Sequence, residues 1–452
     1  MAEVLAIETP GLGDRSYLVH DGNAALVIDP QRDTDRVTAL AAEHGVRITH
    51  VAETHIHNDY LTGGPALAAA TGAAYLVNAD DPVAFDRTPV SDGDTVEVGD
   101  TLRLRVLATP GHTFTHLSYV LESGGTVAGV FTGGSLLYGT TGRPDLLGPQ
   151  HTDALARAQY ASAHRLARLP GATPVFPTHG FGSFCSAGQS GGQSSTIAAE
   201  MLANPVLTLD EREYLDGLLA GLDTWPAYYA HMGPANLAGP PGADLSLPRQ
   251  ATAGEVRRRI DAGQWVIDLR DRIAFAAGFL PGSVSFPLEG SSFASYLGWT
   301  VPWGAPLTLL GETPEQVAQA QRELARIWAE GPAAAASGGP PRWAAGTKLA
   351  SLRLAKFGDL AAAMTAGSLV VLDVRRPLEW AESHIAGARH IPLYELTGRA
   401  GELPTGELWV HCHSGYRAIV AASLLAGRGR EVIGVDDDFG NAAAAGLPLR
   451  RA

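Results

Sequence analysis

The chain has 452 residues, 45% of them hydrophobic and 18% charged, with a formal net charge of −14. That length calls for two to four domains, each apolar enough to bury its own core. The acidic balance leaves no basic excess to neutralise phosphates, which excludes nucleic acid and anionic membranes as partners and favours small-molecule chemistry.

The start, Met1-Ala2-Glu3-Val4, lacks the basic region of a secretory signal. No stretch nears the ~18 uninterrupted apolar residues of a membrane span, so a cytoplasmic location is expected. Residues 16–19 and 24–30 predict paired strands. Residues 33–44 predict a helix, with Val37, Leu40 and Ala41 at helical spacing. Residues 101–107 alternate apolar and polar, the pattern of a half-buried strand.

The segment His55-Ile56-His57-Asn58-Asp59-Tyr60 follows an apolar strand end at residues 51–54. Two imidazoles two residues apart on such a loop can face one metal, with Asp59 adding a carboxylate. Pro110-Gly111-His112 and Pro177-Thr178-His179-Gly180 bring a third and a fourth histidine after strands. One such histidine alone would be read as structural; the set is a metal-site pattern.

Two Gly/Pro/Ala-rich stretches, 232–242 and 331–341, read as linkers. They divide the chain into 1–240, 246–330 and 343–452. The last two parts are internal repeats. Val266-Ile267-Asp268-Leu269-Arg270 lies over Val371-Leu372-Asp373-Val374-Arg375. Without a gap, Gly282 then falls on Gly387, Pro287 on Pro392 and Leu288 on Leu393. Each copy reads strand, loop, helix, strand, helix, an α/β unit with a parallel sheet.

The chain has two cysteines, Cys185 and Cys412; in a reducing compartment both are expected as free thiols. Cys412 opens the turn Cys412-His413-Ser414-Gly415-Tyr416-Arg417, between an apolar strand at 408–411 and a helix at 418–425. Such a turn points backbone N–H groups inward at a helix N-terminus and stabilises an anionic thiolate. Gly415 permits the tight backbone, and Arg417 adds a fixed charge.

This Cys-x-x-Gly-x-Arg loop, with Asp373-Val374-Arg375 and the run from Glu379 through His384, Gly387 and Pro392, resembles the rhodanese sulfurtransferases over 343–452. The resemblance implies that Cys412 carries sulfane sulfur as a persulfide, with Arg417 and Gly415 shaping the loop and His413 and Ser414 beside the substrate. In the middle copy Gly311 stands at the cysteine position and Gln316 at the arginine position. That copy is therefore expected to be inactive and to serve as a scaffold.

Residues 1–240 resemble the metallo-β-lactamase fold, an αββα sandwich. Gly142-Arg143-Pro144-Asp145-Leu146 and the run from His179 to Cys185 are similar to its persulfide dioxygenase branch. The resemblance implies O2-dependent oxidation of glutathione persulfide, or of another low-molecular-weight persulfide, to sulfite at one Fe(II), with Zn as the alternative metal. It places Arg143, Tyr60 and Cys185 near the substrate, and thiosulfate or sulfite as sulfur partners of the rhodanese loop. Cys185 is read either as a persulfide relay or as loop packing. A homo-oligomer is compatible with this reading.

Two departures bear on the metal. Tyr60 stands where two-metal hydrolases of the glyoxalase II type carry a histidine. Gly134, in Phe131-Thr132-Gly133-Gly134, stands where the dioxygenases carry an aspartate ligand. The site then either re-forms on His55, His57 and His112, or recruits Asp59 or His179, or stays empty. Two rival functions follow: a metal-dependent thioester hydrolase, and a non-catalytic front domain beside an active sulfurtransferase.

Overall fold

Along the strand β2 (Asp14–His20), Tyr17 and Val19 point to one side and Leu18 to the other. In β3 (Ala24–Ile28), Leu26 and Ile28 take the first side, Ala25 and Val27 the second. This period of two gives the sheet two buried faces. In the computed structural model, which describes residues 2–188, 191–290, 293–328, 330–367 and 369–451, the first face meets a second sheet and the other is covered by helices.

The first sheet runs β1 (Glu3–Thr9), β2, β3, β4 (Arg47–Ala52), β5 (Ala74–Asn78), β6 (Thr88–Val90), in sequence order. The second is ordered 12-11-10-9-8-7: β7 (Thr95–Val98), β8 (Leu102–Ala108), β9 (Leu117–Ser123), β10 (Thr126–Gly133), β11 (Pro174–Pro177) and β12 (Ser195–Thr196). Both sheets are mixed: β3 to β6 are parallel, and β10 pairs parallel with β11 but antiparallel with β9. Between them lies a core of Tyr17, Leu26, Ile28, Leu104, Val106, Tyr119 and Phe131. Helices α1 (Asp35–Glu43) and α2 (Gly64–Thr71) cover one outer face through Val37, Ala41 and Leu67. On the other outer face sits α3 (Thr152–Leu166), with the helices at Ile197–Ala203 and Glu211–Ala220. The expected αββα sandwich is present, and the alternating strand at 101–107 is β8.

The chain divides into two units, Met1–Asp244 with Ala325–Ala329, and Leu245–Leu324 with Glu330–Ala452. Residues 325–328 join the first unit through specific contacts. Arg326 Nη2 lies 2.7 Å from Asp33 Oδ2, and Arg32 Nη1 donates to the Trp328 carbonyl at 2.9 Å.

The second unit holds both repeats. The first repeat has a parallel sheet ordered Val284–Ser285, Trp265–Asp268, Leu307–Gly311, Ala334–Ser337. The second has Arg353–Ala355, Val432–Val435, Leu408–His411, Val370–Asp373, Arg389–His390, also parallel. Strand register supports the sequence alignment: Asp268 pairs with Leu310 as Asp373 pairs with His411, which sets Gly311 over Cys412. Gly282 and Gly387 share positive φ, 91° and 84°.

Neither stretch expected as a linker is one. Residues Tyr229–Ala238 form a helix that contains Pro234. Residues Ala334–Ser337 form a mostly buried strand, and Trp343 packs on Val256, Val266 and Leu310. The Ala334, Ala335 and Ala336 side chains are buried, and their strand pairs in parallel with Leu307–Gly311. Among the described residues, no helix is long and apolar enough to cross a membrane.

Candidate active sites

The histidine segments lie on loops that leave the strand ends. Residues 53–60 follow β4, residues 109–116 follow β8, Gly134 follows β10, and Thr178 and His179 follow β11. Asp29 binds these loops together from the end of β3. It sits at φ 50°, a conformation a non-glycine residue keeps only when its surroundings hold it there. Its carboxylate accepts from Thr54 N–H and Thr54 Oγ1, both at 2.7 Å, and from Thr178 Oγ1.

Each imidazole is held by one nitrogen and presents the other. His55 Nδ1 meets Thr54 Oγ1 at 2.9 Å, leaving Nε2 3.3 Å from His179 Nε2. His57 Nε2 is surrounded by Tyr60 Oη at 3.0 Å, Glu53 Oε2 at 3.2 Å and Asp29 Oδ1 at 3.3 Å, while its buried Nδ1 has no partner. His112 Nδ1 bonds the Arg143 carbonyl at 2.8 Å, and its buried Nε2 also has no partner. His179 Nδ1 lies 2.9 Å from Asp14 Oδ1 and 3.2 Å from Asp59 Oδ2. Ligating histidines are oriented in this way by groups behind them.

Donor atoms of His55, His57 and His179 lie within 4.8 Å of one another, and so do those of His112, His179 and Cys185. His179 is common to both sets. The unpartnered, buried nitrogens of His57 and His112, each residue grouped with His179, fit a bound transition metal, since burial otherwise leaves them unsatisfied. Asp59 stands behind His179, bonded to its outer nitrogen.

The local charges follow from burial and these neighbours. Burial and the adjoining imidazoles hold His55 well below the usual histidine range, and burial pushes His112 down to about 3. Against burial, which lowers it, Asp29 and Glu53 raise His57 to about 9. Asp59 and Asp14 likewise raise His179 to about 10. Burial pushes the Cys185 thiol well above its usual range, with Asp59 and Asp14 adding to the effect.

The space beside Gly134 is filled. A Cβ on Gly134 would lie 2.4 Å from His112 Cδ2, and one on Gly142 would lie 2.8 Å from His112 Nδ1. Gly134 N–H instead donates to His116 Nε2 at 2.9 Å. Arg143 is spent on structure: Nε and Nη2 bond the Asp145 carboxylate at 2.7 and 2.8 Å, and Nη1 donates to the Phe184 carbonyl at 3.3 Å. Its backbone N–H donates to the Cys185 carbonyl at 2.8 Å, so the His112 and Cys185 loops share one anchor.

In the second unit, Cys412 is buried at the end of its strand and its Sγ accepts from Gly415 N–H at 3.2 Å. Gly415 has φ 92°, and a Cβ there would lie 2.2 Å from Asp436 Oδ1. Phe439 N–H pins the loop through the His413 carbonyl at 2.7 Å, while the His413 and Ser414 side chains are exposed. Arg417 forms a bidentate pair with Glu379 at 2.6 and 2.7 Å, and Arg417 holds Glu379 down to about 2 against the raising effect of burial. The first repeat contributes directly. Tyr296 lies under the Arg417 guanidinium, 5.6 Å from centroid to Cζ, and Arg272 Nε bonds Asp436 at 2.6 Å. In that repeat, Gln316 uses its amide on Glu312 N–H and the Leu269 carbonyl. Both cysteines are free thiols.

Residues 10–179 match the model of the Metallo-beta-lactamase superfamily, and residues 357–441 that of the Rhodanese-like domain. Persulfide dioxygenase ETHE1, mitochondrial, of Bos taurus is 30% identical over 206 residues, which span 45% of this chain and 72% of that protein. The chain belongs to the metallo-beta-lactamase superfamily. A superfamily crystal structure from Staphylococcus aureus subsp. aureus COL is 27% identical with a TM-score of 0.66, and the match covers 74% of this chain and 98% of that one. A hydroxyacylglutathione hydrolase of Polaromonas sp. is 37% identical over 160 residues, 35% of this chain. The chain spans only 57% of that relative's length. The persulfide dioxygenase likeness, with a rhodanese-like domain on the same chain, supports a place in sulfur metabolism.

Sequence reasoning named His55, His57, His112 and His179 but missed Asp14, Asp29, Glu53 and His116, which pack around them. Their only local signal was the placement of polar residues at the ends of apolar strands.

Proposed function

We propose that the front domain oxidises a low-molecular-weight persulfide, such as glutathione persulfide, to sulfite at one mononuclear Fe(II), and that the last domain transfers sulfur through Cys412. The observation that carries this reading is the set of buried imidazole nitrogens around His179 at a site where Tyr60 stands in place of a second-metal histidine. His55, His57, His112 and His179 are the residues that would hold the ion. Bound there, iron supplies O2 activation: one persulfide, one O2 and one water become the thiol, sulfite and two protons.

The remaining residues act by position. Tyr60, Glu53 and Asp29 hold the outer nitrogen of His57; Asp14 and Asp59 hold that of His179. Cys185 adjoins His112 and His179, where it can contact the sulfur of the substrate. In the last domain the Cys412 thiolate attacks the outer sulfur of thiosulfate. The S–S bond breaks with its electron pair on sulfite, and a second thiolate then takes the sulfur from the Cys412 persulfide. The middle repeat is a scaffold that places Tyr296 and Arg272 beside this loop, and its fold continues to about Trp343.

Metal analysis with O2 uptake on glutathione persulfide tests the front domain. About one iron per chain with sulfite formation is expected; protein retaining neither iron nor zinc near one equivalent refutes it. The hydroxyacylglutathione hydrolase likeness favours one rival, and rapid metal-dependent hydrolysis of S-lactoylglutathione without persulfide oxidation would establish that rival instead.

A further inference from the structure

At the far end of β2 from Asp14 stands a second group of ligand atoms. β2 ends at His20, six residues beyond Asp14 and so ~20 Å along the strand. In the antiparallel pair β1–β2, Glu3 lies directly opposite His20. His44, the residue that closes α1, brings its ring centroid to 5.1 Å from that of His20. The donor atoms of Glu3, His20 and His44 all lie within 4.8 Å of one another.

His20 supplies the decisive observation. Its side chain is only 7% exposed, yet neither Nδ1 nor Nε2 has a hydrogen-bond partner. The Glu3 carboxylate stands 3.5 Å from Nε2 without meeting hydrogen-bond geometry. A buried imidazole with both nitrogens unsatisfied needs an explanation, and an ion or water is the usual one. Glu3 is exposed and His44 only half-buried, so both side chains can turn toward His20.

We infer that Glu3, His20 and His44 form a second transition-metal site, separate from the histidine cluster and independent of the persulfide reading. Two imidazoles and a carboxylate suit Zn(II), and also Cu(II) and Ni(II). Tetrahedral Zn(II) at about 2.0–2.1 Å holds its ligand atoms ~3.4 Å apart, so closure requires a shift of about 1 Å in the Glu3 and His44 side chains. The last position stays open to solvent. The helix C-terminus at His44 carries partial negative charge that favours a cation. Occupied, the site fastens the edge strand β1 to the end of α1.

The test is Zn(II) titration of the full chain against a chromophoric chelator, with H44N, H20N and H112N in parallel. Wild type is expected to bind one equivalent more than H44N. H112N, altered in the other cluster, keeps the difference. Zinc at about a hundredfold excess over its dissociation constant should raise the wild-type melting temperature by roughly 5 °C more than that of H44N. Because His44 is only half-buried at the end of α1, H44N remains informative even if H20N misfolds. Equal zinc stoichiometry in wild type and H44N, with affinities within twofold, overturns the inference.

Discussion

Gly134→Ala adds one methyl group where His112 already stands. Gly134 is not among the positive-φ glycines, so its backbone admits alanine and only the side chain matters. The new Cβ would lie 2.4 Å from His112 Cδ2 and 2.7 Å from Cγ. Comfortable carbon contacts begin at about 3.5 Å, so the ring must retreat by roughly 1 Å. Two features oppose that retreat: Nδ1 is bonded to the Arg143 carbonyl at 2.8 Å, and Gly142 abuts the ring closely enough that a Cβ there would meet Nδ1 at 2.8 Å. Overpacking of this kind costs about 1–3 kcal/mol. In a domain of this size each kcal/mol lowers Tm by roughly 2–4 °C. A displaced His112 should also weaken metal binding by about 10–100-fold, the range seen when ligand orientation is lost. Calorimetry and iron competition on wild type and G134A measure both effects. Gly134→Asp brings back a carboxylate on the same Cβ, so it should clash equally and raise neither affinity nor turnover. A G134A protein with Tm within 1 °C and metal affinity within twofold of wild type would refute the packing argument, as would a gain in G134D.

Cys412→Ser should abolish thiosulfate-to-cyanide sulfur transfer while leaving O2 uptake on glutathione persulfide intact; residual transfer above a few per cent counts against the loop chemistry. Tyr60→Phe removes the hydroxyl 3.0 Å from His57 Nε2 and should weaken iron binding by about tenfold, read by chelator competition. Glu379→Gln leaves Arg417 without its carboxylate. Glu379 is held down to about 2 from an ordinary 4.5, so its stabilisation, about 3 kcal/mol at most, is fully present above pH 4.5. It is lost as pH falls from 4.5 toward 2, so the stability gap between wild type and E379Q should narrow over that range in denaturant titrations. A gap that does not change with pH would show that the pair is not the source.

Much of this protein could be read from local pattern. Alternation along β8 marks a strand because successive side chains face opposite ways, and the short apolar runs at β2 and β3 mark paired strands. The match of residues 266–270 to 371–375 exposed the repeat, and strand register then set Gly311 over Cys412. The run from His55 to Tyr60 and the Cys412 turn are each contiguous, so their chemistry was legible residue by residue. Composition misled where it stood in for packing: Ala334–Ser337 is a largely buried sheet strand paired with residues 308–311.

The tertiary structure alone decided what distant segments do to one another. It brings His179 to His55 across 124 residues, and it sets Asp14 and Asp59 on one nitrogen of His179 so that the other faces inward. It also shows that Gly134 is more than a lost ligand, because the ring of His112 occupies the place a side chain would need. Side-chain periodicity reports which face a residue takes. Which nitrogen is held, and which is left for an ion, depends on atoms that only folding makes neighbours.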